Sequence, residues 1–112
     1  MNKLKFETMN LLWETQKALS DMGYVEPTPI QSMAILPVLS GRDIIGQAQT
    51  GTGKTLAYAI PVVEMVEEHR KDTQFLVLCP TRELALQVSE IVKGLLKYRK
   101  GLMLFPYMGG KV

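Results

Sequence analysis

Lys54 and Thr55 follow the run Ala48-Gln49-Thr50-Gly51-Thr52-Gly53, and together these eight residues could hold a phosphate. Glycines at 51 and 53 let the backbone curl until successive N–H groups point inward at an anion. A helix beginning at Lys54 adds its positive end to the same spot. Lys54 supplies a mobile positive charge for terminal phosphates, and the Thr55 hydroxyl is a ligand for Mg²⁺. The strict phosphate-loop pattern asks for glycine at its first position, where this chain has Ala48.

Two more places invite chemistry. Gln31, in Thr28-Pro29-Ile30-Gln31, carries a carboxamide that both donates and accepts, which suits the donor–acceptor edge of adenine. The same spacing also fits a capping box with Thr28, and the residues alone leave both uses open. Arg82, in Pro80-Thr81-Arg82-Glu83-Leu84-Ala85, stands at the first turn of a helix just after an apolar run, with Thr81 as its cap. That is the edge of an open α/β sheet where ligands bind. Cys79 is the single cysteine, which excludes an intramolecular disulfide, and its apolar setting suggests a small buried hydrophobe. His69 is the single histidine and lies in a charged stretch, so no metal-ligand cluster is expected.

The elements that must position these groups follow from caps and periodicity. Asn10 is expected to cap a helix over 11–22, with Trp13 packed on its apolar face and Gly23 as its stop. Thr28 and Pro29 start a second helix that runs to about Leu39. Residues 43–46 read as a strand leading into the phosphate loop, followed by a helix from Lys54 to about Glu68 with Pro61 inside it. Phe75–Cys79 reads as a second, fully covered strand. Thr81 opens a long helix whose buried stripe runs from Leu84 to Leu96, and 102–107 forms a third strand candidate. Strands alternating with helices predict an α/β fold with a mostly parallel sheet of about three strands and flanking helices. The basic run Lys93, Lys97, Arg99 and Lys100 suits a helix C-terminus and is read as structural.

With 112 residues, 46% of them hydrophobic and a formal charge of +2, the composition is that of one small soluble globular domain, and bulk charge does not announce nucleic acid. No apolar run reaches membrane-spanning length and no leader is evident, so a cytoplasmic protein without membrane partners is expected.

Three ordered segments, Gly23–Gln31, Ala48–Thr55 and Pro80–Ala85, resemble the opening of a DEAD-box RNA helicase: its Q motif, its Walker A loop and its first RNA-contacting motif. The alanine at 48 is similar to the form common in helicases. Gly109-Gly110 resembles the next element of that family, near the RNA backbone. The resemblance runs from Phe6 to Gly110 and implies an incomplete RecA-like domain, with 1–40 as Q-motif helices and 41–112 as a βαβαβ phosphate-loop segment. It implies ATP or ADP with Mg²⁺ as cofactors. Gln31 would recognise adenine, Phe6 would stack on it, and Tyr24 stands where the family more often has phenylalanine. Gln49, Thr50, Gly51, Thr52, Gly53, Lys54 and Thr55 would hold the phosphates, with Thr55 on the metal. Pro80, Thr81, Arg82, Gly109 and Gly110 would touch RNA phosphates, a sequence-independent mode.

The Asp-Glu string that orients the attacking water in that family is absent from the 112 residues, as are its Ser-Ala-Thr motif and the arginine finger of its second domain. The expectation is an ATP-site piece of an ATP-dependent RNA helicase, inactive by itself. The alternative is a non-catalytic nucleotide-binding or protein-interaction remnant. A strand left without its neighbour also predicts an element-exchanged homodimer or aggregation.

Overall fold

The computed structural model describes residues 5–44, 53–102 and 104. A single 3₁₀ turn, Phe6–Thr8, precedes four helices: α1 Trp13–Asp21, α2 Pro29–Leu39, α3 Lys54–Met65 and α4 Arg82–Leu95.

α3 is the centre of the assembly and touches each of the other helices. Its sequence explains this. Leu56, Ala57, Ala59, Ile60, Pro61 and Val63 leave little polar surface, and all are buried. Ile60 is fully enclosed, with Ile35 of α2 and Leu95 of α4 in the same core. Burying one such side chain contributes about 1.5–3 kcal/mol. The helix continues through Pro61 and ends at Met65, three residues before the expected Glu68.

Two long-range clips fasten α3 to its neighbours. The Leu12 N–H donates to Glu64 Oε1 at 2.9 Å, and the Thr15 hydroxyl donates to Glu64 Oε2 at 2.6 Å. A carboxylate from α3 therefore serves one backbone N–H and one hydroxyl at the start of α1. Asn10, the expected cap, has φ 60 and is not the N-cap; the helix begins at Trp13. At the other end of α3, the Arg99 guanidinium donates to the carbonyls of Val63 (2.5 Å) and Val66 (2.9 Å) and to Glu68 Oε1 at 2.8 Å.

α2 starts as expected: Thr28 caps it, Pro29 opens it, and both halves of the capping box with Gln31 are present. Thr81 caps α4 by accepting from the Leu84 N–H at 3.1 Å. The buried face of α4 is Ser89, Val92 and Leu95, whereas Leu84, expected in the stripe, is exposed. Trp13 is also a correction: it is 64% exposed, with its ring 6.2 Å from that of Tyr98.

The largest correction concerns the sheet. Among the described residues there are four helices and no strand, against the expected mostly parallel sheet of about three strands. A strand exists only as one half of a hydrogen-bonded pair. Phe75–Cys79 has the composition of a covered strand but no paired neighbour among the described residues, and Cys79 is only half-buried. Asp43 and Ile44 are likewise unpaired; Ile45, Gly46 and most of 102–107 lie outside the described residues.

Candidate nucleotide site

The best-built part of the site joins α2 to the start of α3. Gly53 has φ 85, a conformation that favours glycine, and it precedes the first turn of α3. Its carbonyl accepts from Gln31 Nε2 at 3.0 Å. Gln31 Oε1 accepts from the Thr28 N–H at 2.9 Å. The Gln31 side chain is 2% exposed, so its amide bridges the capping box and the phosphate-loop glycine at once. A Cβ on Gly53 would collide with Gln31 Nε2 and crowd Thr28. The capping use of Gln31 is thus real, and it brings the residue against the loop element expected to hold phosphate.

Lys54 follows Gly53, exposed, at the positive end of a twelve-residue helix whose first turn carries no acidic residue. That charge pattern fits an anionic ligand. Thr55 is half-buried and hydrogen-bonds Tyr58; burial raises the Tyr58 phenol above its ordinary value, and the Thr55 bond partly offsets this. Among the described residues no group of three acidic, histidine or cysteine side chains could hold a metal ion. Thr55 is the one expected magnesium ligand here. Gln49, Thr50, Gly51 and Thr52 lie outside the described residues.

The expected base-stacking residues lie elsewhere. Phe6 is buried in the core, its N–H bonded to the Val25 carbonyl at 3.1 Å. Phe6 and Tyr24 border a hollow of about 380 Å³ that is also lined by Trp13, Gln16 and Lys17, but not by Gln31 or Lys54. Pro80, Thr81 and Arg82 are all exposed at the start of α4, and Gly109 and Gly110 lie outside the described residues. The structure therefore gathers Thr28, Gln31 and Gly53 into one contact, and Phe6 with Tyr24 into another. Sequence reasoning missed Glu64, and it read Arg99 as structural without its partners on and after α3, because partners 31 to 52 positions away leave no local signal.

Comparison with known proteins gives the family in which this contact between α2 and the start of α3 occurs. The family described as DEAD/DEAH box helicase matches residues 28–111, and the chain belongs to that family. It is 48% identical over 95 residues to the ATP-dependent RNA helicase DeaD of Buchnera aphidicola subsp. Schizaphis graminum, covering 85% of this chain and 16% of that protein. It is 44% identical over 108 residues to the DEAD-box ATP-dependent RNA helicase CshA of Bacillus subtilis, covering 96% of this chain and 22% of that protein. The chain thus spans about a fifth of the length of these relatives. A crystal structure of a DEAD box protein from the hyperthermophile Methanococcus jannaschii superposes with a TM-score of 0.78 at 35% identity, over 85% of this chain and 26% of that one. The chain path is therefore that of a RecA-like DEAD-box domain, although the described residues form no strand ladder.

Proposed function

We propose that this chain is the ATP-site portion of an ATP-dependent RNA helicase, which in the intact protein couples ATP binding and hydrolysis to RNA duplex unwinding or RNP remodelling. The observation that carries the reading is the Gln31–Gly53 bond, which ties a candidate adenine reader to the start of the candidate phosphate helix. ATP or ADP would be held through 49–55, with Mg²⁺ on Thr55 and Gln31 on the base side, while Phe6, buried in the core, and Tyr24 beside it are left out of the site. When bound, the metal supplies charge neutralisation at the terminal phosphates. Lys54 binds and orients those phosphates from the helix end. Pro80, Thr81, Arg82, Gly109 and Gly110 would contact RNA phosphates without reading sequence. Among the described residues no helix is long and apolar enough to cross a membrane, and the cytoplasm is the proposed location.

The 112-residue chain by itself is proposed to bind nucleotide but not to turn it over, since no Asp-Glu pair occurs in it. Calorimetric titration with ADP should give a dissociation constant of roughly 0.1 to several mM, or about 3–5.5 kcal/mol. Lys54→Ala should abolish it; equal binding by both proteins would sink the reading. RNA-stimulated phosphate release above the Lys54→Ala control would overturn the proposed inactivity. The isolated chain is also proposed to self-associate, by exchange of an element between copies or through exposed apolar surface.

A further inference from the structure

Trp13 stands in solvent, and its neighbours are a second ring and two cations rather than a bare apolar face. The Tyr98 ring lies 6.2 Å from it, tilted by 38°. The ammonium groups of Lys17 and Lys97 each lie 5.4 Å from the centre of the Tyr98 ring. Asp21 fixes this arrangement: it accepts from the Tyr98 hydroxyl and, at 3.2 Å, from Lys97. The Asp21 charge is thus spent inside the cluster, and Lys17 keeps an exposed charge beside both rings. Lys93, one turn before Lys97, is also exposed; its tie to Glu90 is 3.9 Å long and in water, which makes it weak. On the other side of Lys17 opens the hollow of about 380 Å³, a volume within the range of ligand pockets, whose walls include Trp13, Gln16, Tyr24 and Glu7.

We propose that Trp13 and Tyr98, with Lys17, Lys97 and Lys93, form a platform for single-stranded RNA. Aromatic faces stack on any base, and flanking ammonium groups hold the phosphates that follow it. An acidic peptide would use the lysines and leave the exposed indole face idle; a base with its phosphate uses both. The base stacks on Trp13 at the mouth of the hollow, and the backbone runs past Lys17 and Lys97 towards Lys93. Glu7, on the far wall, repels phosphate and so keeps the backbone on the lysine side. This contact is separate from the one proposed at Pro80–Arg82. Arg82 and Leu95 are the two ends of α4, whose 14 residues span about 20 Å, and the platform lies beyond the Leu95 end. It is also independent of the nucleotide reading, since neither Gln31 nor Lys54 takes part.

Trp13 is the single tryptophan, so its emission reads the contact directly. Titrating the full 112-residue chain with a single-stranded oligouridine of about ten nucleotides, in about 50 mM salt, should quench it to saturation. An RNA duplex of the same length hides its bases and should quench little. Anisotropy of the labelled single strand should show affinity falling roughly five- to a hundredfold in Trp13→Ala and much less in Trp13→Phe, with circular dichroism checking that both variants fold. Lys17→Gln should flatten the slope of log K against log salt by about 0.7, the signature of one lost phosphate contact. Quenching should persist in Arg82→Ala. Absence of quenching, equal quenching by duplex, or unchanged affinity in both Trp13→Ala and Lys17→Gln would overturn the platform. Equal quenching by polyglutamate would make the surface a peptide-docking site instead. Loss of quenching in a folded Arg82→Ala protein would overturn its separation from the Pro80–Arg82 contact.

Discussion

Gln31 does two jobs with one amide, and the consequences separate in experiment. Its oxygen and nitrogen both have partners in the buried site, Thr28 and Gly53. Gln31→Ala should cost about 1–3 kcal/mol of stability in denaturant melts, since two half-buried backbone groups lose their partner. It should also narrow the preference for ADP over GDP in the same titration series. Lost stability with full base discrimination would leave Gln31 a capping residue only. Gly53→Ala should destabilise by about 1–2 kcal/mol from the left-handed backbone alone, with a further loss as Gln31 is pushed off. At this scale the sequence was readable where the cause is local: Thr28-Pro29-x-Gln31 and Thr81 specify their caps within three residues. Asn10 misled because its competitor, Glu64, arrives from more than fifty positions away in the chain.

Among elements, α3 is the one others depend on. Glu64→Ala should cost about 1–3 kcal/mol, because it leaves the Thr15 hydroxyl, fully buried, without its acceptor. Arg99→Met should cost about 1.5–3 kcal/mol by freeing the last carbonyls of α3. Hydrogen exchange should then rise first at the end of α3. The Arg99 hydrogen bond holds the Glu68 carboxyl below its ordinary 4.5, and the Tyr98 and Lys97 bonds do the same for Asp21. Both native values are depressed, so both contributions are fully present above the ordinary carboxylate range and are lost as pH falls through the lowered values. Urea midpoints measured from about pH 7 down to about pH 3 should fall at the acid end, and less steeply in Glu68→Gln. Helices were legible from sequence because each closes its own backbone bonds. Phe75–Cys79 was not, because no residue within it states whether a neighbouring strand will be there.

For the whole molecule, Trp13 has a practical consequence. It is the single tryptophan, it stands largely in solvent on α1, and its neighbour Tyr98 follows α4. Its emission should already be red-shifted in the folded protein and should move little on unfolding. What changes is its distance from Tyr98, so energy transfer from that tyrosine reports whether α1 and the end of α4 remain docked. The junction of α2 with α3, where Gln31 meets Gly53, is dark to this fluorophore. Thermal melts followed by tryptophan should therefore diverge from melts followed by helical circular dichroism whenever the candidate nucleotide site loosens first, and ADP should shift the second curve more than the first.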